Sequence, residues 1–306
     1  MTNFRIYYNH TLRPELIRLE GLRHRVVAML IAETVLVALL FCFQIRSGIL
    51  PLTFLFSLPL LLFGAFIVQK KRRFRAEFKS RIVRLILSFL EETTPNYHQL
   101  DYHARRHIGQ SCFQRSKIFT LHQPIFEGED LLNGKIGELD FECSELWVRQ
   151  VSAVRSGFDT VFRGVFLHAS WGRSLYGELL VLPRAARPRL TRSIREFVAN
   201  GGEDVSEELN DPDFSDIFIT FAIEGTSLSN LLSAEMRRVI LAFRQRTDKE
   251  IYFSFVGSNV YAAVVEPRNL LEPFLFRSNV SYDLVEEYLE SIQLMFHLVE
   301  DFNANN

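Results

Sequence analysis

Two long apolar runs separated by five residues constrain this chain more than any other feature. Val26–Phe43 reads VVAMLIAETVLVALLFCF, 18 residues with one charge, Glu33, and Ile49–Val68 reads ILPLTFLFSLPLLLFGAFIV, 20 residues with none. At about 1.5 Å of rise per residue they reach roughly 27 and 30 Å as helices, which matches a hydrocarbon core about 30 Å thick. The link, Gln44–Gly48 (QIRSG), is too short for a folded domain, so the two helices must run antiparallel. No short apolar stretch ending in a small-residue cleavage site marks a signal peptide. Two consecutive runs this apolar are rare inside soluble cores. The sequence therefore reads as a transmembrane hairpin, spans 26–43 and 49–68.

Charge orients that hairpin. Arg18, Arg23 and Arg25 precede the first run; Lys70, Lys71, Arg72, Arg73 and Arg75 follow the second; the link holds only Arg46. The positive-inside rule places both termini in the cytoplasm. The first 75 residues hold 11 Lys+Arg against 3 Asp+Glu, a balance of +8, and the rest hold 24 against 33, a balance of -9. An acidic body beside a basic collar suits membrane lipids with anionic headgroups as partners. It argues against nucleic acid, which needs a basic stripe on the folded domain. Cys42, Cys112 and Cys143 are scattered and odd in number, giving no disulfide framework or zinc motif and fitting a reducing compartment.

Glu33 falls near mid-membrane, where an ionisable residue is a functional candidate by default. The competing reading is a protonated carboxyl in a helix–helix contact, with Thr53 or Ser57 of the second run as partner. Pro51 and Pro59 are tolerable kinks in lipid. Leu12, Leu16, Leu19 and Leu22 recur at helical spacing before the hairpin, giving an amphipathic cytoplasmic helix within residues 1–25. Phe74, Phe78, Ile82, Leu85 and Phe89 continue the same period after it, and that helix is expected to pack on the soluble body or on residues 12–25.

Residues 69–306 are expected to form a cytoplasmic α+β domain. Strands are predicted over 134–148, 160–171, 177–182, 216–223, 250–256 and 260–266. The strongest local signal is IYFSFV-GSN-VYAAVV, a β-hairpin turning at Gly257–Asn259. Ser233 and Ser281 are candidate N-caps for two amphipathic helices. Residues 184–212, rich in Pro, Gly and charge, read as a loop with a short helical piece. Strands in succession without regular intervening helices imply an antiparallel sheet.

Candidate chemistry is sparse. His103 and His107 sit four apart in YHARRH and would share a face if that segment were helical, with His98 and Asp101 nearby. Two imidazoles at this spacing can bind Zn²⁺ only with a third ligand, and the HExxH glutamate is absent. Glu127, Glu129 and Asp130 concentrate carboxylates that could hold Mg²⁺ or Ca²⁺, but no EF-hand pattern surrounds them, and an acidic turn entering a strand explains them as well. Gly134-x-x-Gly137 lacks the companions of a phosphate loop. Ser254 and Ser258 lack a nucleophile elbow. Cys112 and Cys143 lack the setting of reactive thiols. No catalytic residue and no cofactor is assigned, and the 28 phenylalanines read as core.

Passages along the chain, LRPELIRLEGLRHR, FEGEDLLNGKIGELDFECSEL, VFRGVFLHA, GELLVLP, DPDFSDIF, KEIYFSFVGSNVYAAV and EPFLFRSNVSYDLVEEYLESIQLMFHLVEDFN, resemble a bacterial membrane-anchored family known only as domain of unknown function 3137. The sequence departs from that pattern over residues 220–232 and at Asp248, where a glycine is usual. The resemblance implies a multi-pass protein of a bacterial inner membrane and transfers no activity and no catalytic residue. Three functional readings are open: a membrane-tethered interaction or scaffold module with an unidentified protein partner, a membrane-associated enzyme of unknown reaction, and an envelope or lipid sensor. The first is favoured because the anchor is strong and a catalytic constellation is missing.

Overall fold

The computed structural model describes residues 2–48, 50–152, 156–170 and 177–304. Ile49 of the second apolar run and Trp171 at the end of an expected strand lie outside the described residues. The chain divides into two compact units, residues 1–89 with 271–289, and residues 90–270 with 290–306.

The first unit is helical. Helix α1 (Thr2–Tyr7) passes through a π-turn (Tyr8–Leu12) into α2 (Arg13–Ser47), and α3 follows (Leu50–Thr93). The amphipathic segment and the first apolar run are thus one helix, because nothing between Arg13 and Ser47 breaks the backbone ladder. Gly48 ends it at φ +68, its N–H donating to Gln44 O at 2.9 Å, a left-handed stop that glycine adopts without a Cβ penalty. The second run likewise continues unbroken through Pro59 into the basic helix.

Among the described residues, two helices are long and apolar enough to cross a membrane, and only 6% of the most apolar window in each is buried. A soluble core helix would bury that window. Here Ile31, Leu39, Phe41, Phe54 and Leu61 are exposed, while Leu12, Leu16, Leu19, Phe74, Phe78 and Ile82 are buried with Phe4 and Tyr8.

The basic collar is less solvated than its composition suggests. Arg23 is 7% exposed, donating from Nε to Glu20 Oε1 at 2.8 Å and from Nη1 to Leu275 O at 2.8 Å. Lys79 is 2% exposed and pairs with Glu272 Oε1 at 2.7 Å. These pairs tie residues 271–281 to the helices, and Asn279 closes that segment on the backbone of Phe274.

The second unit is an antiparallel sheet with helices, as expected for α+β. Its strands are β1 (Tyr97–His103), β2 (Ile125–Ile136), β3 (Leu139–Val151), β4 (Phe158–Ser170), β5 (Glu178–Pro183), β6 (Gly202–Asp204), β7 (Phe218–Ile223), β8 (Ile251–Val256) and β9 (Asn259–Val265). Among the described residues their order is β1-β2-β3-β4-β9-β8-β5-β7-β6. The strand expected over 134–148 is a hairpin instead, turning at Gly137–Glu138, where Gly137 has φ +58 and Asn303 Oδ1 accepts from Glu138 N at 3.1 Å. The loop expected over 184–212 holds α5 (Thr191–Ala199) and β6. Asp216 and Ile217, expected in a strand, end α6 (Pro212–Ile217), which Asp211 caps through Phe214 N at 3.2 Å. Short helix α4 (Gln110–Arg115), α7 (Leu228–Leu231), α8 (Ala234–Thr247) and α9 (Tyr282–Ala304) complete the chain.

Strand alternation divides the core between two faces. On one, Leu146, Val148, Phe162, Phe166, Tyr252 and Tyr261 pack with Phe113 of α4. Phe113 stacks on Phe119 at 5.4 Å and meets Phe166 at 4.8 Å. On the other, Phe296 of α9 meets Phe141 at 5.2 Å, and Phe302 meets Phe253 at 6.0 Å.

Candidate functional site

The histidine pair is not a metal face. His103 ends β1, residues 104–105 turn, and His107 lies in irregular chain before α4. His103 Nε2 sits 3.2 Å from Asp101 Oδ2, and His107 packs on Phe126 with its Nδ1 2.8 Å from Ile108 O. The condition for a shared helical face is not met, because YHQLDYH pairs with β2, His103 opposite Leu131.

The carboxylates of residues 127–130 lie within β2 rather than at a turn entering a strand. Glu127 pairs with Arg149 Nη2 at 2.8 Å. Glu129 and Asp130 occupy a bulge, Asp130 at φ +61, and with Glu145 they offer oxygens within 4.8 Å of one another. Asp130 accepts from the Tyr102 hydroxyl and Glu145 Oε2 accepts from Leu270 N, so these carboxylates already serve the fold.

Glu33 faces α3. Its carboxyl lies against Gly64, where any Cβ would collide with it. Thr53 and Ser57 are not its partners: Thr53 hydrogen-bonds Gln44, and Ser57 bonds Phe54 O at 2.8 Å. A glycine, by leaving room, accommodates the carboxyl in the helix–helix contact. Nearer the basic end, a groove of about 660 Å³ lies between the two helices, with apolar walls including Val26, Met29, Phe66 and Phe74 and a rim of Arg25, Lys70, Arg73 and Glu77.

The most concentrated chemistry lies elsewhere. Glu142 of β3 is the direct cross-strand partner of His168 on β4, and His168 is the partner of Tyr261 on β9. These residues share the sheet face that α4 covers, and α4 delivers Cys112 onto them. His168 Nδ1 is 3.2 Å from Glu142 Oε1, and Cys112 Sγ is 3.7 Å from the same oxygen. Asn259, the first residue of β9, places Oδ1 2.8 Å from His168 Nε2. Since an amide oxygen only accepts, Nε2 carries a hydrogen and Nδ1 faces the carboxylate and thiol. The His168 ring stacks on Tyr261 at 4.9 Å and 18°.

Burial opposes the His168 imidazolium, but hydrogen bonds with Cys112, Glu142 and Asn259 outweigh it and push the pKa up to about 10. The same bond to His168 holds the Glu142 carboxyl below its ordinary value against burial. Burial raises the Tyr261 phenol, opposed by its hydrogen bond with Arg115. Cys143 points to the other face, where burial drives its thiol up to about 12, the mark of an inert structural cysteine.

Sequence reasoning missed Cys112, Glu142 and His168 as a group. They are 30 and 26 residues apart, joined by the β3–β4 register and by α4 lying over that face. Residues 160–304 match the family described as Protein of unknown function (DUF3137), a stretch that includes His168 and Asn259 but neither Cys112 nor Glu142. No curated protein matches the chain, and no solved structure does.

Proposed function

Because residues 160–304 belong to DUF3137, a family without an assigned activity, we propose that the chain is a membrane-tethered module that recruits or organises a protein partner at the cytoplasmic face of a bacterial inner membrane. The observation that carries this reading is the pair of apolar helices with almost wholly exposed side chains, with arginine and lysine concentrated at one end and Arg46 alone at the other. Exposed leucines and phenylalanines at this density are unfavourable in water and favourable in lipid.

Two measurements test it. After alkaline carbonate extraction the chain should stay with the membrane pellet, and a reporter at the C-terminus should be cytoplasmic while one inserted at Arg46–Ser47 is external. A chain released by carbonate, or a C-terminus reached from outside, overturns the tether. Crosslinking in native membranes should then return the same partner reproducibly; a chain that crosslinks to nothing in reproducible yield removes the recruitment role.

The groove between α2 and α3 favours a second role, binding an anionic lipid, because apolar walls beside Arg25, Lys70 and Arg73 suit an acyl chain under a phosphate. Replacing those three cations by glutamine should lower the anionic lipid co-purified in mild detergent. Unchanged lipid content would remove this role.

A further inference from the structure

We propose that Cys112, Glu142 and His168 form a tetrahedral divalent-metal site of the zinc type, with the fourth position left to water or an exchangeable ligand. The first argument is spacing. Sulfur at about 2.3 Å and nitrogen or oxygen at about 2.1 Å from a tetrahedral ion set ligand–ligand edges of about 3.6 Å for S–O and about 3.4 Å for N–O. The structure has 3.7 Å for Cys112 Sγ–Glu142 Oε1 and 3.2 Å for His168 Nδ1–Glu142 Oε1, and all three atoms lie within 4.8 Å of one another.

The second argument is the outer shell. Metal-bound imidazoles usually give their other N–H to a carbonyl or carboxylate, which fixes the ring. His168 does this with Asn259 at 2.8 Å and is further held by stacking on Tyr261. The third is the scaffold. Two ligands stand on adjacent sheet strands and the third on a helix locked by Phe113, so the site does not depend on loop order. One thiolate, one imidazole and one carboxylate suit Zn²⁺ among common ions, and three protein ligands leave an open position.

Access and charge point the same way. Cys112 is buried, but Glu142 is half-buried and leaves an entry side. A thiolate and a carboxylate balance a dication, and Arg115, exposed and facing Cys112, then favours an anion such as hydroxide or a carboxylate at the fourth position. The bland alternative is a histidine–carboxylate ion pair that merely stabilises the sheet.

Co²⁺ titration of the detergent-solubilised full-length chain under reducing conditions separates the two. The expected result is one equivalent of Co²⁺ with thiolate-to-cobalt charge transfer and the intense visible bands of four-coordination, both abolished by Zn²⁺. The charge-transfer band should persist in Cys42→Ser and Cys143→Ser and vanish in Cys112→Ser. Should Cys112→Ser not fold, Glu142→Gln, a change at a half-buried side chain, should keep the fold and weaken Co²⁺ binding at least about tenfold, and Asn259→Leu should weaken it about 10- to 100-fold. A folded wild-type chain without the charge-transfer band overturns the site. So does a band that survives Cys112→Ser, or affinity unchanged in Glu142→Gln.

Discussion

Glu266, just beyond β9, is 3% exposed and accepts from Lys249 Nζ at 2.8 Å and from Arg268 N at 3.1 Å. Burial works against its charge, but those partners win, and its carboxyl is held below the ordinary value. The unfolded chain therefore binds a proton at Glu266 more readily than the folded one. The stabilisation is complete above the ordinary carboxylate range and is lost as pH falls through the lowered folded value. Glu266→Gln should cost about 1.5–3 kcal/mol at neutral pH, the worth of hydrogen bonds to a charged group. Unfolding midpoints compared across pH should show the gap between wild type and variant closing on acidification; a gap independent of pH refutes this account. No motif marks Glu266 in the sequence, where it is the last residue of the strand expected over 260–266, because its partners come from the segment before β8 and from the loop that follows β9.

At the scale of elements, two contacts give sharp expectations. Gly64 and Glu33 meet between α2 and α3, and the atoms a Cβ would meet are the end of the flexible Glu33 side chain, so Gly64→Ala should displace that carboxyl at a cost below about 1 kcal/mol. In a Glu33→Ala background that cost should vanish, giving a coupling of about 0.5 kcal/mol in a double-mutant cycle measured by thermal unfolding in detergent. Phe113 fixes α4 over the sheet with no exposed surface, so Phe113→Ala should cost about 3–5 kcal/mol in denaturant unfolding. The apolar runs, the hairpin turning at Gly257 and the Ser233 cap, which accepts from Met236 N at 3.1 Å, were legible because each signal is local. Strand β1 was not legible. It is an edge strand of polar residues, and YHQLDYH lacks the alternation that marks a half-buried strand. Asp248, standing where the family resemblance expects a glycine, is the left-handed cap of α8, at φ 50.

Across the whole molecule, charge and hydropathy were readable because they add along the chain without reference to fold. The cluster of Cys112, Glu142 and His168 was not, since it depends on which strand lies beside which and in what register. The proposed orientation rests on summed charge, so the same means should invert it. Replacing Lys70, Lys71, Arg72, Arg73 and Arg75 with glutamine while adding lysines around Arg46 should move a fraction of C-terminal reporters to the far side of the membrane. Reporters that stay put would show that charge does not set this topology.

The sheet has a seam. Strand β4 pairs with β9, Leu167 opposite Ala262, although residues 171–258 lie between them in the chain. Strands β1 to β4 can zip as neighbours, yet the second half of the sheet cannot join them until the ribosome has released β9. Pairings this distant in the chain make for slow folding, and they leave the open edge of β4 exposed meanwhile. The two apolar helices emerge long before that moment. A nascent chain already fixed in the bilayer would hold its unfinished edge away from other copies, so the anchor would act during synthesis as a restraint against edge-to-edge association.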